Sequence, residues 1–220
     1  MPSKHSRKIY VPNGYYHVYN RGVEKRIIFE NQDDYKVFLD YIKEYLSPPS
    51  KEHDVKNLSK RSLVRLPNNY NKKIDLLAFC LMPNHFHLLI KQSNNEYLNK
   101  FMQSIQSRYS TYFNTKYDRV GPLYQGRYKA ILVKNEEYLL HLSRYIHRNP
   151  LVIDGSMRNW YSSYNDYIGS TNTPWISKNV ILSYFDQSLV KSLTKQDSYK
   201  TFSEDNNIHD KRYLRNLTID

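Results

Sequence analysis

Leu81-Met82-Pro83-Asn84-His85-Phe86-His87-Leu88-Leu89-Ile90 is the stretch from which the rest of the chain is read. Met82-Pro83-Asn84 interrupts an apolar run with a tight turn, so Ile74 to Leu81 and His85 to Lys91 read as two strands of a hairpin. Along the second strand side chains alternate faces, which puts His85 and His87 on one side and Phe86 and Leu88 on the other. Two imidazoles side by side on a rigid strand are spaced for a metal ion to bridge. The same pattern also arises when two polar residues simply occupy the wetter face of a sheet. The motif alone allows both.

Outward from this hairpin, Tyr15-Tyr16-His17-Val18-Tyr19-Asn20 follows the turn Pro12-Asn13-Gly14 and reads as a strand, closed by Arg21-Gly22 with the glycine taking a positive φ. Tyr35, Phe38, Leu39, Ile42 and Leu46 recur at helical spacing behind a cap at Asn31 or Asp33, and Pro48-Pro49 ends that helix. Residues 50–73 form a polar, basic connection expected to be an exposed insertion. Beyond the hairpin, Leu98, Phe101, Met102, Ile105, Tyr109, Tyr112 and Phe113 mark a long amphipathic helix. A turn-rich loop, Gly121 to Arg127, leads to a fourth strand over Tyr128 to Val133, and Asn135 caps a last helix striped by Tyr138, Leu139, Leu142, Tyr145 and Ile146. The order β-α-β-β-α-β-α predicts an α/β (α+β) fold: a ferredoxin-like antiparallel sheet with helices packed on one face. Residues 1–169 are expected to form the main domain, and 170–220 a C-terminal helical appendage and tail.

The chain carries 33 Lys and Arg against 21 Asp and Glu, a net +12, and such a field favours a polyanion, most commonly nucleic acid. Its 22 tyrosines and 8 phenylalanines offer faces on which unpaired bases can stack. Cys80 is the single cysteine, so a disulfide framework is excluded, and its place in an apolar strand makes it a core residue. The basic start lacks a following apolar segment and no run reaches membrane-spanning length, so a soluble, cytoplasmic protein with no membrane partner is expected.

The last helix completes a constellation. Tyr145 and Asn149 are four apart, placing a phenol and a carboxamide on one face a turn apart. Against the histidine strand, that face would assemble two imidazoles, an amide oxygen and a phenol. The first three could hold a divalent ion that polarises a phosphate, and the phenol could attack phosphorus. Tyr138 competes for the nucleophile's role, but it lies by the capped start and has Leu142 four residues on. His141 and His147 are expected on the surface.

The chain resembles the single-tyrosine HUH transposases, and within them the REP-associated tyrosine transposase branch. The matching pieces are Tyr16 to Gly22, Leu81 to Leu89, Gly121 to Tyr128, Tyr145-Ile146-His147-Arg148-Asn149-Pro150 and Trp160-Tyr161-Ser162-Ser163-Tyr164. These lie in unbroken order over roughly residues 10 to 169. The resemblance implies His85 and His87 as ligands of Mg²⁺ or Mn²⁺, Tyr145 as the nucleophile that links to the 5′ phosphate of cleaved DNA, and Asn149 as a further metal ligand. It implies single-stranded or hairpin DNA as partner, a monomer or homodimer, and residence at the nucleoid when bound. Imidazole ligands suit Mn²⁺, while availability favours Mg²⁺. Arg21, Arg127 and Lys129 are the candidate phosphate contacts.

Other functions are weaker matches. A domesticated DNA- or RNA-hairpin-binding protein would retain the fold without cutting, an RNA-binding sandwich has no use for paired histidines, and a metal hydrolase would call for acidic ligands.

Overall fold

The computed structural model describes residues 8–49, 68–185 and 194–207. Most of the 50–73 insertion therefore lies outside the described residues. Strand β1 spans Tyr15–Arg21, β2 Ile74–Met82, β3 His85–Gln92 and β4 Lys129–Val133. They form one antiparallel sheet in the order β2-β3-β1-β4, the ferredoxin-like arrangement expected. Helix α1 spans Gln32–Leu46, α2 Tyr97–Lys116 and α3 Glu136–Arg148.

The helix starts are chemically explicit. The Asn31 side chain accepts from the backbone N–H groups of Asp33 and Asp34, and the Asp34 carboxylate returns to the Asn31 N–H, closing a capping box. The Asn135 side chain accepts from the Tyr138 N–H, with Glu136 and Glu137 in the first turn complementing the helix dipole.

Both faces of the sheet are apolar, and both are covered. On one, Val18, Phe86 and Leu88 pack with Phe38 and Ile42 of α1 and with Phe101, Ile105 and Tyr109 of α2. On the other, Cys80, Leu89 and Val133 pack with Leu139, Leu142 and Ile146 of α3. An irregularity between Leu76 and Ala78 lets Leu76 and Phe79 face the first core, while Leu77, Ala78 and Cys80 face the second. The two long helices thus share a face as expected. The third takes the other because Ala78, Cys80 and Leu89 require cover there. Short helices α4 (Leu151–Asp154), α5 (Tyr164–Tyr167) and α6 (Asn179–Leu182), with α7 (Lys195–Glu204), complete this second layer.

The β2–β3 turn that presents His85 is clasped from below. The Asn84 carbonyl accepts from Gly22 N–H at 2.9 Å, and the Pro83 carbonyl accepts from Ile28 N–H at 2.8 Å and Phe29 N–H at 3.1 Å. Gly22 has φ −59°, so the expected positive φ is not its reason for being glycine. Close approach is the reason, since a Cβ would sit 2.3 Å from the Arg26 carbonyl oxygen and 2.8 Å from Ile28 Cγ2. Gly22→Ala is expected to cost about 1–3 kcal/mol, the usual range for overpacking, read as a lowered urea midpoint. An unchanged midpoint would mean that the Arg26 carbonyl yields freely.

Between α1 and α2, the fully buried Asp34 carboxylate accepts from Lys116 Nζ at 2.6 Å, Tyr117 Oη at 2.7 Å and Tyr112 Oη at 2.9 Å. Burial opposes its ionisation, but the bonds from Lys116, Tyr117, the Glu30 N–H and Tyr112 outweigh that and hold the carboxyl below the ordinary 3.8. A depressed carboxylate stabilises the fold fully above its unfolded value, and the contribution is lost as pH falls through the folded one. Unfolding free energy is therefore expected to decline below about pH 4. Asp34→Asn should flatten that decline in denaturation curves taken from pH 5 to 2, and an equal slope in both proteins would contradict this account.

Candidate active site

The register of the sheet lays out the site. Arg21 stands opposite His85, and Tyr19 opposite His87. Lys129 stands opposite Tyr19 on the far edge strand. Directly opposed residues share a face, so His85, His87, Arg21, Tyr19 and Lys129 all belong to the face that α3 crosses. His17, two residues from Tyr19, lies there too.

Helix α3 brings its phenol onto this face. The Tyr145 ring lies 5.5 Å from that of His87 and 6.1 Å from that of His17, edge-on to both. The His85 and His87 rings are 5.0 Å apart. Asn149 keeps right-handed helical dihedrals despite the following proline, and its amide nitrogen donates to the Tyr145 carbonyl at 2.8 Å. With the nitrogen so engaged, the carboxamide oxygen is the end left to coordinate. Tyr138, in the first turn of the helix, packs at the margin of the second core. Of the sequence-predicted residues, Tyr145 meets His87, His85 stands beside His87, and Asn149 follows Tyr145 one turn on along α3.

Two contacts define the imidazoles. His85 Nδ1 lies 2.6 Å from the Asn84 side-chain oxygen, which can only accept, so Nδ1 carries a proton. His87 is fully buried, and its Nδ1 lies 2.8 Å from His17 Nε2. His87 Nε2 is also buried and has no hydrogen-bond partner among the described residues. Burial, reinforced by the neighbouring His17, His85 and Arg21, holds His87 well below the ordinary imidazole range, so the ring is neutral at pH 7. An orphaned nitrogen on a neutral, buried imidazole beside a second histidine fits a metal ligand.

What holds α3 in place was not legible in advance. His147 was expected on the surface, yet it is fully buried, and His141 is only 9% exposed, against Phe202. His147 Nδ1 meets Tyr199 Oη at 2.7 Å and Nε2 meets Ser163 Oγ at 2.7 Å, while Ser163 Oγ accepts from the Phe79 N–H at 2.9 Å. Burial pulls His147 down to about 3, and a neutral ring donating to Tyr199 and accepting from Ser163 satisfies every group. Arg144, buried as well, donates to the carbonyls of Phe202 and Asp205. Arg148 donates to the Ser203 carbonyl at 2.8 Å. The Tyr145 helix is therefore fastened to strand β2 on one side and to α7 on the other.

Of the expected phosphate contacts, Arg21 and Lys129 lie on the histidine face, and Arg21 Nε is buried without a partner among the described residues. Arg127 is exposed just before β4. Lys8, not anticipated from sequence, joins this cluster, with Nζ 3.9 Å over the Tyr128 ring. Burial, then the charges of Arg127 and Lys129, lowers its pKa.

Residues 10–149 match the family described as IS200-like transposases. The chain belongs to that family. The matched span begins before β1 and ends at Asn149, so in this IS200-like transposase it takes in both histidines, Tyr145 and the carboxamide. The chain is also similar to a solved REP-associated tyrosine transposase bound to a REP hairpin. That likeness has 12% identity and a TM-score of 0.52, and covers 76% of this chain and 86% of that one; it shows a shared fold. A candidate transposase of Deinococcus radiodurans (12% identity, 66% of this chain and 95% of that one, TM-score 0.35) shares less. So does the tRNA(His) guanylyltransferase of Saccharomyces cerevisiae (14% identity, 95% and 79%, TM-score 0.32). No curated protein matches the chain. Among the described residues no helix is long and apolar enough to cross a membrane.

Proposed function

We propose that this IS200-like transposase is a metal-dependent single-stranded DNA endonuclease and strand transferase in which Tyr145 forms a covalent 5′-phosphotyrosine link. The observation that carries this is the Tyr145 ring standing edge-on to His87 at 5.5 Å, on the sheet face that also bears His85 and Arg21.

Among the described residues no group of three or more His, Cys, Asp or Glu side chains could hold a metal. An ion here would draw on His85, His87, the Asn149 oxygen and oxygens from DNA or water. Mg²⁺ or Mn²⁺ so held would polarise a non-bridging phosphate oxygen and orient the scissile bond. The chain's own residues supply the rest. An ordinary phenol titrates near pH ~10 and is a nucleophile only when its proton can leave. Tyr145 Oη attacks phosphorus, the bond from phosphorus to the 3′ oxygen breaks, and the phenolic proton is balanced by protonation of the departing 3′ oxygen. A 3′-hydroxyl then reverses the step and rejoins DNA. One phosphodiester-type bond replaces another, so no nucleotide is consumed. Arg21, whose buried Nε has no partner among the described residues, would bind a phosphate oxygen beside His85, and Lys129, Arg127 and Lys8 would extend the positive track.

Hairpin or palindromic DNA is the proposed substrate. The net charge of +12 supports a polyanion, and the similar transposase is bound to a hairpin. Residues 1–169 are taken as the catalytic unit and 170–220 as an appendage that steadies α3 through Tyr199. The test is a denaturing gel of labelled single-stranded hairpin DNA incubated with protein and Mn²⁺. A protein-linked band that EDTA removes is expected. Hairpin binding on a native gel with no linked band under Mn²⁺ or Mg²⁺ would reduce the protein to a DNA-binding one.

A further inference from the structure

We infer that His17 is a positioning residue that fixes the tautomer of His87, accepting a hydrogen bond from His87 Nδ1–H so that Nε2 presents its lone pair to the ion. This rests on the proposed metal role of His87 and extends it to the residue bonded to that ring's other nitrogen. Three observations carry it. His17 and His87 are both fully buried on the same face, and their Nε2 and Nδ1 atoms are 2.8 Å apart. The rings are nearly parallel, at 17°, with centroids 5.1 Å apart, so the contact is made in the plane of both rings' nitrogens and not through a face-to-edge approach. The remaining nitrogen of His87, Nε2, is buried and has no hydrogen-bond partner among the described residues.

A bond between two ring nitrogens must have one donor and one acceptor, and a neutral imidazole has one of each. If His17 donated, His87 Nε2 would carry the hydrogen and could not coordinate. If His87 donates, Nε2 is the lone pair and the orphaned atom acquires a use. The same logic operates at His85, where the Asn84 oxygen captures Nδ1–H. Both strand histidines therefore share one feature: Nδ1 is held by a neighbour. Outer partners of this kind typically change metal affinity by about 10–100-fold when removed. The two captors differ in permanence. Asn84 is the preceding residue of the same strand end, whereas His17 is brought from β1 by the sheet register, so the His87 tautomer depends on β1 and β3 pairing correctly.

The experiment measures Mn²⁺ affinity on full-length, DNA-free protein by electron paramagnetic resonance, beside long-range ¹H–¹⁵N NMR of the His87 ring without metal. Expected in the native protein is His87 protonated on Nδ1. His17→Phe, which keeps a ring but removes the acceptor, should weaken Mn²⁺ binding by about 10–100-fold. His17→Gln, whose side-chain oxygen falls where Nε2 was, should restore affinity to within about threefold of native, which simple loss of packing would not do. His85→Ala should lose the ion. A native His87 protonated on Nε2 overturns the inference, and so does His17→Phe binding Mn²⁺ as tightly as native protein while His85→Ala does not. If the native protein binds no Mn²⁺, and His85→Ala changes nothing, the parent metal assignment has failed and the inference falls with it. The His87 tautomer measured on native protein stands whether or not a variant folds.

Discussion

Tyr145→Phe is expected to abolish the protein–DNA adduct, lowering it by at least about 10³-fold, while hairpin binding and the melting temperature stay close to native. The magnitude follows from the role: a nucleophile has no substitute within the step it performs, and its removal leaves only the contribution of binding and electrostatics. The selectivity follows from the structure. Tyr145 is only half-buried and its ring lies against His17 and His87, so removing one hydroxyl takes nothing from the second core, whose packing on α3 comes from Leu139, Leu142 and Ile146. Tyr138→Phe is the internal control. That residue sits by the capped helix start, and its loss should leave the adduct within about twofold of native. An adduct that survives Tyr145→Phe but disappears with Tyr138→Phe would reverse the assignment. Gel quantitation of the linked band against a native-gel binding curve separates the two effects.

The second large effect is expected for His85→Ala. Loss of a ligand that orients a Lewis acid on phosphate costs several kcal/mol in the transition state, so adduct formation should fall by about 10²–10³-fold. EDTA on native protein should do the same, with Mn²⁺ restoring it. His85 is the better test than its neighbour because it is half-exposed at the β2–β3 turn, whereas His87 is fully buried among the core strands and its removal would leave a cavity. An adduct formed at the native rate by His85→Ala, or in EDTA, would show that the histidine pair serves structure alone.

Much of this arrangement was open to a reading of the sequence. Strand alternation put His85 and His87 on one face, the interval of four put Tyr145 and Asn149 on one helix face, and Asn31 and Asn135 announced the helix starts that the structure shows. Less accessible were features that depend on register and on distant segments. His17 shares its face with Tyr19 in any β1 strand. Only the pairing of Tyr19 with His87 and of His17 with Leu89 brings its ring within hydrogen-bonding distance of His87, and no local pattern encodes that pairing. His147 is buried although Arg144 and Arg148 lie beside it in sequence. In fact Arg144 is buried, its charge met by backbone carbonyls of the C-terminal segment some sixty residues on. Gly22 was assigned the right role as a breaker for the wrong reason, since its need is for space beside the Arg26 carbonyl.

The central claim is that the Tyr145 phenol, edge-on to His87, is the group that joins DNA. Its most direct test is peptide mapping by mass spectrometry of the adduct trapped with Mn²⁺ and labelled hairpin DNA after nuclease and protease digestion. The proposed function predicts a nucleotide-bearing peptide with the phosphate on Tyr145 Oη. A phosphate found on Tyr138 or any other residue would contradict it.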